Sequence, residues 1–284
     1  MNGKRVLITG ATDGIGKQAA LAIAGMGAAV TLVGRNEAKT RAVCGELQSQ
    51  TGNADIDWLL GDLSSMAEVR SVADEFRARH DRLDVLLNNA GAVFSEYQQS
   101  ADGFEMTFAL NHLSYYLLTH LLLDRLVDTA QAAGEARIIN VSSSAHRTGS
   151  LQLDNLRDSS GFSMMSRYSA SKLMNVLFTY ELARRLADTA ITVNAVHPGV
   201  VRTRFGHDTN RFWSLFLKVV QRLVAISPER GAATLVYLAA SPDAAGISGK
   251  YWNDKRQQQS SGNSYDREQQ RALWEYSAEV TGLG

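Results

Sequence analysis

The chain predicts an α/β fold: a doubly wound parallel sheet of about seven strands with helices on both faces. Three observations predict it. Short apolar, β-branched runs alternate with helical spacings along nearly all 284 residues. A glycine-rich turn, Gly10-Ala11-Thr12-Asp13-Gly14-Ile15-Gly16, stands between the first such run and the first helical pattern. Other polar and glycine motifs fall where strands end, the edge at which open parallel sheets bind ligands. No internal repeat or linker interrupts the alternation, so residues 1–284 are expected to form one domain.

Arg5-Val6-Leu7-Ile8-Thr9 reads as a buried strand. In the turn after it, glycine lets the backbone bend sharply and approach a pyrophosphate, which then rests on the amides opening the next helix. The spacing is G-x-x-x-G-x-G, not G-x-G-x-x-G, and alone it also suits an ordinary strand-to-helix connection. A second strand over 28–33 ends at Gly34-Arg35-Asn36. An acid at that place binds the adenosine 2′-hydroxyl, whereas an arginine accommodates a 2′-phosphate. Arg35 therefore favours NADP, with NAD ranked behind it, and Lys17 could add a second positive charge; a solvated loop charge is the plainer reading of Arg35.

A helix over 37–50 and a strand over 56–60 follow, closed by Asp62-Leu63-Ser64. Asp62 could meet the adenine amino group or serve only as a turn residue. Ser64 or Ser65 caps a helix over 66–79. The fourth strand, 83–87, runs into Asn88-Asn89-Ala90-Gly91. Residues 102–127 read as one long helix with Asn111 among apolar neighbours, and 136–141 as a strand opening onto Ser142-Ser143-Ser144. The stretch 145–166 has no sustained period and reads as a long loop.

A helix running to about residue 186 carries Tyr168 and Lys172, four apart and so on one face. An ammonium there can stabilise a phenolate and bring a phenol's pKa down from about 10, which makes a general acid/base usable near neutrality. The same pair also suits a half-exposed helix face. The sixth strand, 191–196, ends in His197-Pro198-Gly199. The amphipathic helix over 211–226 sets Phe212, Leu215, Phe216, Val219, Val220 and Leu223 on one side. Three readings stay open for it: a wall of an apolar pocket, core packing, or shallow membrane contact. A helix over 229–240, a strand over 248–252, a polar and mobile loop over 254–264 and a helix over 266–280 complete the chain.

Lys+Arg and Asp+Glu balance at 29 each, which gives nucleic acid or an anionic membrane no global attraction. Cys44 is the only cysteine, so no internal disulfide forms and a reducing, cytoplasmic setting fits. The apolar run 113–127 is broken by His120, Asp124 and Arg125 and is too short to span a bilayer, and no leader segment is expected at the N-terminus. None of the six histidines has metal-ligand spacing.

Thr9-Gly10-Ala11-Thr12-Asp13-Gly14-Ile15-Gly16, Asn88-Asn89-Ala90-Gly91, Ser142-Ser143, Tyr168-Ser169-Ala170-Ser171-Lys172 and Pro198-Gly199 together resemble the short-chain dehydrogenase/reductase superfamily over essentially the whole chain. Phe104-Glu105-Met106-Thr107, Asn111-His112-Leu113, Val141-Ser142-Ser143-Ser144-Ala145-His146, His197-Pro198-Gly199-Val200-Val201 and Ser248-Gly249-Lys250-Tyr251 are similar to its retinol-dehydrogenase-like branch.

The resemblance implies a Rossmann-type fold with a substrate lid at about 200–228 and a C-terminal tail at about 253–284. It implies hydride transfer between NADP(H) and a small-molecule carbonyl, an apolar aldehyde or ketone, interconverted with its alcohol. Tyr168 would be the acid/base, with Lys172 lowering its pKa and binding the nicotinamide ribose. Ser143, rather than Ser142, would bind the substrate oxygen, and Asn111 would hold a water leading to Lys172. Thr9, Gly10, Thr12, Asp13, Gly14, Ile15, Gly16, Arg35, Asn36, Asp62, Leu63, Asn88, Asn89, Ala90, Gly91, Pro198, Gly199, Val201 and Thr203 would surround the cofactor. Members of the branch often carry an N-terminal membrane segment, which is not expected here, and the superfamily commonly forms homodimers or homotetramers through the helices bearing Asn111 and Tyr168. Two rivals compete with the oxidoreductase reading: a sugar-nucleotide epimerase or dehydratase, and a non-catalytic NADP-binding sensor.

Overall fold

The computed structural model describes residues 1–199 and 227–283. Eight strands form one sheet in the order β3-β2-β1-β4-β5-β6-β7-β8. They are β1 (Arg5–Thr9), β2 (Ala29–Gly34), β3 (Ile56–Leu60), β4 (Val85–Asn88), β5 (Ala136–Val141), β6 (Ile191–His197), β7 (Lys250–Asn253) and β8 (Arg256–Gln258). Every pairing is parallel except β7 with β8, which is antiparallel. The sheet therefore has one strand more than expected. Strand order reverses at β1, whose neighbours are β2 and β4, so a crevice opens above the carboxyl ends of β1 and β4.

Alternation along each strand builds two cores. Leu7, Leu86, Ile138 and Val193 face α3 (Met66–Arg79), α5 (Ser114–Leu121), α6 (Leu123–Ala133), α7 (Met164–Arg185) and α9 (Arg267–Thr281). Val6, Ile8, Val85, Leu87, Ile139 and Val196 face α1 (Gly14–Gly25), α2 (Glu37–Thr51) and α8 (Pro228–Ala240). This is the doubly wound arrangement the apolar, unalternating strand sequences require, because both faces of a parallel sheet are covered. Local signals set the helix limits. Asn36 Oδ1 accepts the Lys39 N–H at 2.9 Å at the start of α2, and Gly52, with φ of 68°, stops it in the left-handed region. Of the two candidate caps before α3, Ser65 is the one used.

The structure departs from expectation in three places. Residues 102–127 do not make one helix. A short α4 (Met106–Phe108) leads into a π turn, Ala109–Leu113, then α5, and the chain breaks at Leu122 before α6. The stretch 145–166 begins with a 3₁₀ turn, Ser144–Thr148. The polar stretch 254–264 is ordered: it makes β8 and a second 3₁₀ turn, Gly262–Tyr265, in which Ser264 is fully buried. α9 then lies against α5 and α7, with the Trp274 ring 5.3 Å from Tyr116 and 6.1 Å from Phe178. Among the described residues no helix is long and apolar enough to cross a membrane. Residues 200–226, including the expected amphipathic helix, Val201 and Thr203, lie outside the described residues.

Candidate active site

The crevice begins at the turn between β1 and α1. Gly10 has φ of 65°, a conformation that disfavours side chains, and its N–H donates to Val33 O at 3.1 Å. Asp13 caps α1, with Oδ1 accepting the Gly14 N–H at 2.8 Å and Oδ2 taking Lys39 Nζ at 2.9 Å. Thr9 ties this turn to the end of β4: its Oγ1 accepts N–H groups from Asn89 at 2.8 Å and Ala90 at 3.0 Å. Asn89 returns the tie, donating Nδ2 to Thr9 O at 2.8 Å and Gly10 O at 3.2 Å. Gly16 sits tight beneath it, since a Cβ there would lie 2.4 Å from both Asn89 Nδ2 and Gly10 O. Gly16→Ala is expected to lower stability by about 1–3 kcal/mol, read as a shift in denaturant midpoint; an unchanged midpoint would mean that the turn relaxes freely.

At the end of β2, Arg35 is exposed and makes no hydrogen bond or ion pair among the described residues, while Asn36 caps α2. Lys17 is engaged elsewhere, with Glu46 Oε2 at 2.7 Å. At the end of β3, Asp62 Oδ1 accepts the N–H and hydroxyl of Ser64 at 3.0 and 2.7 Å, so it shapes the turn, and Leu63 is packed into the core. Asn88 is fully buried, donating to Thr119 Oγ1 and Asn140 Oδ1. Its side chain therefore belongs to the sheet interior, and Ala90 and Gly91 continue the crevice edge.

The second half of the crevice gathers four residues. Lys172, 3% exposed, donates from Nζ to Val141 O at 3.2 Å and lies 5.8 Å from the ring centre of Tyr168. A side-chain hydrogen bond joins Tyr168 and Ser143. Ser142 is occupied, its hydroxyl donating to Lys172 O at 2.7 Å, so Ser143 is the member of the pair that meets Tyr168. Asn111, fully buried, accepts the Ala92 N–H at 2.8 Å and donates Nδ2 to Ala92 O at 2.9 Å and Ser171 Oγ at 3.1 Å. It sits in the π turn, a distortion often found where a helix has to re-aim a side chain. Gly91 leaves room above these groups: a Cβ there would come within 3.1 Å of Asn111 Oδ1 and 3.4 Å of Lys172 Nζ. A glycine turn at the α1 amides, with Gly91 lying close to Lys172 at the end of β4, suits an extended dinucleotide.

Comparison with known proteins agrees with this geometry. Residues 4–212 match the family model described as short chain dehydrogenase. The chain belongs to the short-chain dehydrogenase family. Within it, the chain falls in the retinol-dehydrogenase-like branch, being 40% identical over 286 residues to human retinol dehydrogenase 13, with 99% of this chain and 85% of that protein covered. Among solved structures, an uncharacterised protein from Mycobacterium paratuberculosis is 30% identical with a TM-score of 0.79 over 99% of this chain and 94% of that one. The Pseudomonas aeruginosa RhlG/NADP active-site complex is 26% identical with a TM-score of 0.71 over 88% and 94%. The family establishes an oxidoreductase that uses a nicotinamide cofactor.

In this dehydrogenase, burial sets the electrostatics of the cluster. It pushes the Tyr168 phenol above its usual value, and the hydrogen bond from Ser143 partly offsets that. Burial also brings the Lys172 ammonium down to about 7. In the chain on its own, Ser143 rather than Lys172 is thus the neighbour that draws the phenol downward. Pro198 and Gly199, with Gly199 at φ of 88°, close the described part of the crevice after β6.

Two groups escaped sequence reasoning. The Tyr115 ring lies 5.8 Å from Lys172 Nζ, and its hydroxyl is buried without a hydrogen-bond partner among the described residues. Its position four residues after Asn111 could have placed it on that face. His146 is the other: it ends the Val141–His146 stretch that resembles the branch, but nothing in the sequence assigned it a role.

Proposed function

We propose that the protein is an NADP(H)-dependent oxidoreductase interconverting an apolar aldehyde or ketone and its alcohol, with Tyr168 as the acid/base. One observation carries this reading: the hydroxyls of Ser143 and Tyr168 meet beside Lys172 at the edge reached by the glycine turn. The nicotinamide supplies the hydride when bound. The rest is the work of this chain. Ser143 donates to the substrate oxygen and fixes its position. Tyr168 gives that oxygen a proton as charge develops on it, or takes the proton back in oxidation. A raised phenol keeps its proton through neutrality, which suits reduction. Lys172, cationic below about pH 7, stabilises the phenolate left behind. Asn111 holds the backbone of Ala92, next to Gly91, against the π turn. Residues 1–284 act as one domain.

The apolar class is supported by the likeness to retinol dehydrogenase 13, whose named substrate is an apolar alcohol. NADP is supported by Arg35, which stands exposed at the end of β2 with no partner among the described residues, and by the RhlG/NADP complex. Lys39 is held by Asp13 and Lys17 by Glu46, which leaves Arg35 as the free cation there among the described residues. Arg35→Asp is expected to shift the kcat/KM ratio of NADPH to NADH at least about tenfold toward NADH, since a hydrogen-bonded charge is exchanged for a repelling one; an unchanged ratio would remove Arg35 from the 2′-phosphate site. The reading as a whole is tested by mixing purified protein and NADPH with a panel of retinal, long-chain aldehydes and steroid ketones. NADPH absorbance is expected to fall with at least one class. Tight NADPH binding with no consumption across the panel would favour a sensor instead.

A further inference from the structure

His146 is buried completely in the 3₁₀ turn that follows Ser143, and both of its ring nitrogens are used. Nε2 receives the main-chain N–H of Ser261 at 3.0 Å, while Nδ1 lies 2.6 Å from Ser143 O. A backbone N–H can only donate, so Nε2 carries no proton and Nδ1 must carry one. The ring is therefore neutral in a single tautomer, donating to the Ser143 carbonyl. Burial, with Arg147 beside it, lowers the His146 pKa and so agrees with that assignment.

The Ser143 carbonyl thus accepts twice, from Nδ1–H and from the His146 N–H at 3.1 Å, while Ser143 Oγ accepts the Ala145 N–H at 3.2 Å. Main chain and hydroxyl of Ser143 are both held by one turn, whose outer end depends on Ser261. That residue is itself anchored. Ser264 Oγ donates to Ser261 O at 2.6 Å, and Ser260 Oγ pairs with Tyr180 Oη at 2.7 Å, on the same helix as Tyr168. Arg147 donates to Gln259 O at 2.6 Å, and Gln270 Nε2 to Ser264 O at 2.7 Å. The His146 ring also packs 4.7 Å from Tyr251 of β7.

We propose that His146 is a positioning residue through which residues 259–265 of the C-terminal tail aim the Ser143 hydroxyl at the substrate oxygen. This rests on the reading that Ser143 engages that oxygen. A displacement of Ser143 by a fraction of an ångström misaligns the carbonyl without touching the dinucleotide cradle, so the loss falls on kcat and spares KM for NADPH.

Ser261 allows a selective test. Its φ of −68° is one that proline adopts, so Ser261→Pro deletes the N–H with little strain, whereas Ser261→Ala keeps it and removes only a hydroxyl that has no partner among the described residues. His146→Asn keeps a donor near Ser143 O but cannot reach Ser261, which gives a second route to the same loss should the proline variant not fold. Steady-state kinetics and melting temperature are measured on each, with NADPH and the best carbonyl of the panel. Ser261→Pro and His146→Asn are expected to lower kcat about tenfold with KM for NADPH within about twofold, and Ser261→Ala to keep wild-type kcat. Folded Ser261→Pro or His146→Asn with wild-type kcat and only a lower melting temperature would overturn the proposal. Ser143→Ala run alongside separates the two claims: a dead Ser143→Ala beside fully active tail variants sinks the aiming role alone, while an active Ser143→Ala overturns both.

Discussion

Tyr168→Phe is expected to lower kcat by about 10²–10⁴-fold while leaving NADPH affinity within a few-fold. The substitution removes one oxygen and keeps the ring, so the packing of α7 against the crevice survives. What disappears is the proton donor and the hydroxyl with which Ser143 shares a hydrogen bond. Phenylalanine has no group to protonate an oxygen, and the alkoxide that forms on hydride arrival would have to draw its proton from water in a partly covered site. Binding measured by NADPH fluorescence together with single-turnover rates separates the two effects. Retained turnover would remove Tyr168 from the chemistry, and lost binding would mean that the ring is chiefly part of the cofactor site.

Lys172→Met is expected to be nearly inactive and yet more stable than the parent at acid pH. Burial lowers the Lys172 pKa to about 7, against about 10.4 in an unfolded chain. Below pH 7 both states hold the proton, and the folded state bears the full cost of a buried ammonium. Between about 7 and 10.4 the unfolded state holds more protons, so the stability of the parent rises with pH. The methionine variant lacks this contribution. It is therefore expected to exceed the parent at pH 6 by an amount on the order of 3 kcal/mol, the ~1.4 kcal/mol per pKa unit being discounted for relaxation around the charge. The gap should close as pH approaches 10. Val141 O is not orphaned by the change, because Asn175 Nδ2 donates to it at 3.0 Å. Urea midpoints for both proteins from pH 6 to 9.5 check the sign, and a difference independent of pH would show that Lys172 is not held against its charge. That outcome, a lysine costly to the fold yet needed for turnover, would be the trade expected of a functional site.

Much of this architecture is legible in the sequence because its signals are local. The strand ends, the glycine turn, the Asn36 and Ser65 caps and the Gly52 stop each depend on a few neighbouring residues. So does the choice of Tyr168 and Lys172, one helical turn apart. Where reading failed, the cause was a distant partner. Periodicity makes 102–127 a helix, but Asn111 binds both backbone groups of Ala92 and the ladder loosens into a π turn to let it. Residues 254–264 look like a solvated loop by composition. Their serines and glutamines are bound instead by Tyr180, His146 and Arg147, more than 75 residues away along the chain, and nothing in a polar run announces that. Lys17 looks available beside the last glycine until Glu46 is seen across from it. Between Ser142 and Ser143 only the family resemblance chooses in the sequence; the structure adds that Ser142 donates to Lys172 O while Ser143 shares a hydrogen bond with Tyr168.

The central claim is that the glycine turn at residues 10–16 and the Tyr168 phenol serve one pocket. A crystal structure of the protein with NADP⁺ and the alcohol product of its best substrate tests this most directly. The expected result has the pyrophosphate on the amides opening α1, the nicotinamide over Gly91 and Lys172, and the Tyr168 oxygen within roughly 3 Å of the product hydroxyl. A dinucleotide bound there with Tyr168 turned away, or the product hydroxyl held by groups other than Tyr168 and Ser143, would contradict it.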